Sequence, residues 1–143
     1  MYTKKPNSEP PLVEDVMLLP DSLPLSTNRA ILKESLEEMG RSKLGIVCIV
    51  DENHKLLGIL TDGDIRRSLL RVQKPLSALF VDDTLSHATC SPVVIGPKQT
   101  LSDAVDLMEK SQIWDLPVVT EEGTLAGLLH LHRAIKVLME RLL

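Results

Sequence analysis

Aromatic side chains are almost missing from this chain: Tyr2, Phe80 and Trp114 are the only ones. Its core must therefore be aliphatic, and the stacking platforms on which single-stranded nucleic acid binders hold bases are nearly unavailable. Basic residues are not in excess either. Lysine plus arginine number 16 against 20 acidic residues, the net charge is −4, and no basic stripe runs along any segment, so no nucleic acid partner is expected. Cys48 and Cys90 have no metal-ligand spacing, and Cys48 sits inside an apolar run. They read as buried or incidental thiols rather than a disulfide or a zinc site, which favours a reducing compartment. No apolar run approaches the roughly 20 residues of a membrane span. The start, Met1-Tyr2-Thr3-Lys4-Lys5-Pro6, leads into polar residues and prolines instead of a signal-peptide core. A cytoplasmic location with no membrane partner is the expectation.

What is present is ordinary globular composition, 43% hydrophobic and 25% charged over 143 residues, enough for one compact domain or two small ones. A chain of this size buries roughly two thirds of its unfolded surface and needs no disulfide or metal for stability. Residues 1–10, with little to bury, read as a flexible lead or linker remnant. Leu12 to Met17 is an amphipathic helical turn, and Pro20 to Pro24 is extended. Leu32, Leu36 and Met39 fall on one helical stripe, predicting a helix over 28–39 that ends at Gly40. Leu44 to Val50 reads as a buried strand, and Asp51 to Lys55 turns the chain back into a strand from Leu56 to Thr61. A further helix is expected from Asp64 to about Arg71, with Arg66, Arg67 and Arg71 outward and Ile65, Leu69 and Leu70 inward.

After a short connection over 72–75 the pattern starts again. Leu32, Leu36, Met39, Val50 and Gly58 recur as Leu101, Val105, Met108, Val119 and Gly127, each pair at one offset (108 − 39 = 69). An offset held from helix through hairpin signals two copies of one unit. Upstream, Val13 to Met17 echoes Leu76 to Phe80 at a smaller offset (80 − 17 = 63), which places about six extra residues around Val81 to Cys90, read as a surface loop. The second copy continues with a helix capped by Thr100, a strand over 116–119, a turn at Glu122-Gly123, a return strand over 125–129 and a last helix over 131–141.

The chemistry concentrates in Gly58-Ile59-Leu60-Thr61-Asp62-Gly63-Asp64, where an apolar strand runs into a hydroxyl, a glycine and two carboxylates. A strand end feeding a helix start is suited to holding an anion on free N–H groups. Thr61-x-x-Asp64 is equally a capping-box pattern, in which both side chains satisfy the helix's own orphan donors. At the corresponding place the second copy carries His130 and Arg133 (61 + 69 and 64 + 69). His130-x-His132 could be a two-ligand metal pair if both lay on one strand, but no third ligand stands nearby in sequence. No nucleophile with a base is evident, so no catalysis is expected in this chain.

These residues resemble a tandem pair of cystathionine-β-synthase (CBS) domains, a Bateman module. Gly58 to Asp64 matches the motif of Gly, apolar, any residue, Thr or Ser, two of any kind, then Asp, and Met108 to Val119 is similar to the family's run into its buried strand. The resemblance implies an α+β fold of two βαββα repeats packed with pseudo-two-fold symmetry, over residues 11–71 and 76–143. Leu60 to Arg67, with His130-Leu131-His132, looks more closely like the CBS tail of D-arabinose-5-phosphate isomerases, in which the module follows a sugar isomerase (SIS) domain. The run over 61–67 also resembles the CBS region preceding some sugar-nucleotidyltransferases.

The resemblance implies a regulatory module with no required cofactor, binding AMP, ADP, ATP or a CMP-sugar. Asp64 would accept from the ribose hydroxyls and Thr61 would donate to a phosphate. The base would lie against Ile46, Val47 and the rest of that strand, with Gly58 in the motif. Arg133 departs from the pattern, because a guanidinium only donates and cannot take the diol's protons. With His130 it reads either as a phosphate or carboxylate ligand of a shared site, or as a solvated arginine on an empty one. A homodimer through the helices is implied, with Val137, Leu138 and Leu142 as its apolar contacts. A ligand-free dimerising tether remains the alternative reading, and a small enzyme using the histidine pair a third.

Overall fold

The computed structural model describes residues 9–142. For residues 1–8 the flexible-lead reading lies outside them. Twelve segments follow in order: α1 (Val13–Val16), β1 (Leu25–Thr27), α2 (Leu32–Ser42), β2 (Ile46–Val50), β3 (Leu56–Thr61), α3 (Asp62–Arg71), α4 (Leu76–Leu79), a 3-10 turn (Thr84–Ser86), α5 (Leu101–Ser111), β4 (Asp115–Val119), β5 (Leu125–His130) and α6 (Leu131–Glu140). The expected α+β composition and the two repeats are both present.

The compact units do not coincide with the two stretches of sequence. One unit is continuous, Leu23–Pro92; the other joins the residues up to Ser22 to those from Val93 onward. In the continuous unit β1 runs parallel to β2, and β2 antiparallel to β3. All five residues of β2 are buried, as a strand covered on both faces requires. The core is Leu32, Met39, Val47, Ile49, Leu60 and Leu79. In the discontinuous unit β4 pairs antiparallel with β5. Val13 and Val16 of α1 join Leu101, Met108, Leu116, Leu129 and Val137 in its core.

Equivalent backbone contacts define the true correspondence of the opening segments. Leu12 bridges Thr100 as Asp83 bridges Ile31, and Leu18 bridges Leu128 as Thr89 bridges Ile59. Segment 12–18 therefore matches segment 83–89 (83 − 12 = 71), and not Leu76 to Phe80 at 63. The surface insert expected around Val81 to Cys90 is absent: Thr84 and His87 are buried there. Hydrophobic pattern pairs the wrong helical turns because Thr84 and His87 stand where Val13 and Val16 stand in the other copy. Each repeat's opening segment thus closes the compact unit built on the other repeat's hairpin.

Both crossings need a glycine. A Cβ on Gly127 would lie 2.5 Å from the Leu18 carbonyl oxygen, and one on Gly58 2.8 Å from that of Thr89. The motif glycine is explained by this close approach of backbone to backbone.

Several boundaries move. α2 begins at Leu32 rather than 28 and passes through Gly40, ending at Lys43 in the left-handed conformation (φ 59°). Gln112 closes α5 in the same way (φ 54°). α3 begins at Asp62, and its inward face carries Asp64 and Ser68, while Leu69 and Leu70 are 50% and 75% exposed. Aliphatic character alone predicts an inward pair there, yet the helix phase is set by the cap at Thr61. On α6, Val137 is buried and Leu138 packs on the core; its exposed apolar residues are Ile135 and Met139, with Leu142 exposed just beyond the helix. No helix among the described residues is long and apolar enough to cross a membrane.

Candidate functional site

Thr61 ends β3 and caps α3. Its hydroxyl accepts from the Asp64 N–H at 3.2 Å, and Asp64 Oδ2 accepts from the Thr61 N–H at 2.9 Å and from the Thr61 hydroxyl at 3.0 Å. Reciprocal bonds of this kind satisfy two orphan donors at a helix start. The capping reading of Thr61-x-x-Asp64 is thereby met in full. The carboxylate does more than cap. Its Oδ1 accepts from an Arg67 guanidinium nitrogen at 2.8 Å and from the Thr89 hydroxyl at 2.9 Å. Asp64 is only 6% exposed, and four donors hold its charge where water is largely excluded.

This carboxylate forms one wall of a cavity of about 300 Å³ in the continuous unit, together with Arg67, Ser68, Arg71, His87 and Thr89. His87 is buried, with Nε2 2.8 Å from Asp82 Oδ2 and Nδ1 2.9 Å from the Ser68 hydroxyl. A carboxylate can only accept, so Nε2 carries the proton, and in the neutral ring Nδ1 accepts from Ser68. Asp82 also accepts from Lys74 at 2.7 Å. The Lys74 bond first, then the His87 bond, hold its carboxyl below the usual range.

The remaining expected site residues are distributed unevenly. Gly58 is occupied by the Thr89 crossing. Ile46 and Val47 are 1% and 0% exposed, so their side chains belong to the core and offer a ligand little but backbone. Ile46 does lie opposite Thr61 in the hairpin.

In the discontinuous unit the same register sets Asp115 opposite His130, and His130 Nδ1 lies 2.8 Å from Asp115 Oδ1. Burial raises the Asp115 carboxyl, against the bond from His130, which lowers it. The two histidine rings meet edge to face with centroids 4.9 Å apart. They do not share a strand: His130 caps α6 and His132 lies within it. Among the described residues no group of three or more His, Cys, Asp or Glu is arranged to hold a metal ion. Arg133 is half-buried and makes no hydrogen bond or ion pair among the described residues.

Sequence reasoning missed Thr89, Ser68, His87 and Asp115. The hairpin register pairs Asp115 with His130 and could have found it. Thr89 and His87 required the correct offset of 71. Arg67, three residues beyond Asp64 on one helix, was legible as a neighbour of that carboxylate.

Comparison with known proteins places this geometry in a family. The model described as "CBS domain" matches residues 13–71 and 76–140. Arabinose 5-phosphate isomerase KdsD of Salmonella typhi is 31% identical over 124 residues, which are 87% of this chain and 36% of that protein. The chain thus spans little more than a third of that relative's length. CBSX2, solved in complex with AMP, superposes with a TM-score of 0.79 at 25% identity, covering 91% of this chain and 97% of that one. The CBS pair of protein MJ0100, solved with 5-methylthioadenosine and S-adenosyl-L-methionine, gives 0.73 at 22% identity, covering 90% and 98%. Two matched repeats, the crossing at each hairpin glycine and the Thr61–Asp64 cap make this chain a tandem pair belonging to the CBS-domain family.

Proposed function

We propose that this chain is a regulatory module that binds an adenine nucleotide or a nucleotide-sugar through Thr61 and Asp64, and that it carries out no catalysis itself. The observation behind this reading is the Asp64 carboxylate. It is buried, it lines a cavity, and three of its four donors are side chains that can turn away. A ribose diol offers two hydroxyl donors in place of the Thr89 hydroxyl and Arg67, so binding replaces hydrogen bonds instead of stranding a charge. The AMP complex of CBSX2 lends support on the ligand class. The likeness to KdsD supports a sugar-phosphate isomerase as the enzyme regulated, joined through an SIS domain; a sugar-nucleotidyltransferase is the second candidate. Regulation requires a ligand with different affinity for two conformations, because equal binding shifts nothing.

The completed capping box favours a second reading, a ligand-free tether that dimerises through its helices, with Ile135 and Met139 of α6 and Leu69 and Leu70 of α3 among the exposed apolar residues. The two separate in a thermal-shift screen against AMP, ADP, ATP, CMP and a CMP-sugar. Ligand at a hundred times its dissociation constant adds about 2.7 kcal/mol. A shift of the wild type that is clearly smaller in Asp64→Asn, which loses the acceptor for the ribose diol, is the expected result. No shift with any nucleotide, in a protein that sediments as a dimer, establishes the tether.

A further inference from the structure

The two repeats differ where the opening segment meets the last helix, and the difference is polar on one side only. In the discontinuous unit Val16 and Val137 are both part of the core. The corresponding residues of the continuous unit are His87 (16 + 71) and Ser68 (137 − 69), both buried and hydrogen-bonded to each other at 2.9 Å. The valines show that this fold needs no polar group at that place. Burying an imidazole and a hydroxyl instead of two aliphatic chains gives up transfer free energy that their hydrogen bonds recover only in part. A second polar replacement, in which the Ser35 hydroxyl lies 2.8 Å from that of Ser26 and 2.7 Å from that of Thr84, is internally satisfied. The His87 and Ser68 pair, by contrast, forms part of a cavity wall.

Around that wall stand Arg67 and Arg71, four residues apart on α3 and so on one side of the helix. Arg67 is 58% exposed and pairs with Asp64. Arg71 makes no hydrogen bond or ion pair among the described residues, although it lines the same cavity. At about 300 Å³ the space is at the small end of ligand pockets, suited to a phosphate group with a sugar attached. The arginine pair is not repeated in the discontinuous unit, where Lys136 and Glu140 stand at the positions of Arg67 and Arg71 (67 + 69 and 71 + 69).

We infer that the cavity between α3 and segment 84–89 is a phosphomonoester site, with Arg67 and Arg71 as the fork that holds the dianion and the Ser68–His87–Asp82 chain as the polar wall that fixes its shape. Paired guanidinium groups are suited to phosphate oxygens because each presents parallel N–H donors. Asp64 opposes an empty site and assists a filled one. While the cavity is empty its Oδ1 holds Arg67 and Thr89; when the phosphate draws Arg67 away, that oxygen is released to accept from a sugar hydroxyl. This deepens the nucleotide reading and rests on it only for the diol half of the ligand.

The test is isothermal titration of the full chain with inorganic phosphate, ribose 5-phosphate, AMP and adenosine at matched ionic strength, in wild type, Arg71→Gln and Asp64→Asn. Arg71→Gln should weaken all three phosphate compounds about tenfold to a hundredfold, the loss of one or two charge-assisted bonds, and leave adenosine unchanged. Asp64→Asn should keep or improve binding of inorganic phosphate, since the competing charge is gone, while losing adenosine. The tightest of the three phosphate compounds names the source of the group. Failure of inorganic phosphate and ribose 5-phosphate to bind at millimolar concentration overturns the inference, as does equal affinity in wild type and Arg71→Gln. Binding of phosphate without adenosine leaves the inference standing and removes the nucleoside half of the proposed function.

Discussion

Replacing Gly127 by alanine tests the closure of the discontinuous unit. The new Cβ would lie 2.5 Å from the Leu18 carbonyl oxygen, 2.7 Å from Met17 Sδ and 2.9 Å from Met17 Cγ. The thioether can swing aside, but the carbonyl belongs to a backbone bound to Leu128 in both directions, at 2.8 and 3.0 Å. Restoring an ordinary 3.4 Å contact moves that oxygen by 0.9 Å (3.4 − 2.5), which stretches both bonds beyond useful length. Two backbone bonds at roughly 1 kcal/mol each and overpacking at roughly 1–3 kcal/mol give a loss of about 3–5 kcal/mol. Urea unfolding followed by Trp114 fluorescence is the assay, because this single tryptophan lies in the same unit. Gly58→Ala, with its nearest contact at 2.8 Å, should cost less and be read by far-UV circular dichroism. If Gly127→Ala unfolds within 0.5 kcal/mol of wild type, an error margin typical of such measurements, the crossing does not constrain the fold and the account of both glycines is wrong.

Two further outcomes follow from single positions. Gly40 lies inside α2 with open space around its Cα, so Gly40→Ala should raise stability by about 0.5–1 kcal/mol; a loss on urea unfolding would contradict the helical assignment there. Burial raises the Asp115 carboxyl above the ordinary aspartate value. Its protonated form is then favoured in the folded state, so the group's contribution is most favourable below about pH 4 and declines as pH rises through the folded pKa. Asp115→Asn should therefore gain on wild type as pH increases from the acid side and then hold a constant advantage; a difference independent of pH between 3 and 7 refutes the assignment.

The sequence by itself determined the repeat, because a helix stripe, a buried strand and a hairpin each impose a period that a constant offset of 69 preserves. The same register recurs in three dimensions: the left-handed residues Lys43 and Gln112, and His54 and Gly123, are also 69 apart (112 − 43 and 123 − 54). The Thr61–Asp64 cap was equally legible, since it is made between residues three apart. Contacts distant in the chain decided the rest. That segment 83–89 closes the first repeat's hairpin cannot be read from local periodicity, because His87 and Thr84 hide the apolar pattern that Val16 and Val13 display. Nor can local pattern show that Thr89, 25 residues beyond Asp64, gives its hydroxyl to that carboxylate. Helix phase shows the same division. The aliphatic Leu69 and Leu70 suggested an inward face, but the cap at Thr61 and the packing of segment 84–89 turned Asp64 and Ser68 inward instead. Only the tertiary structure brings the groups of the cavity together, because a polar wall between distant segments leaves no periodic trace in either of them.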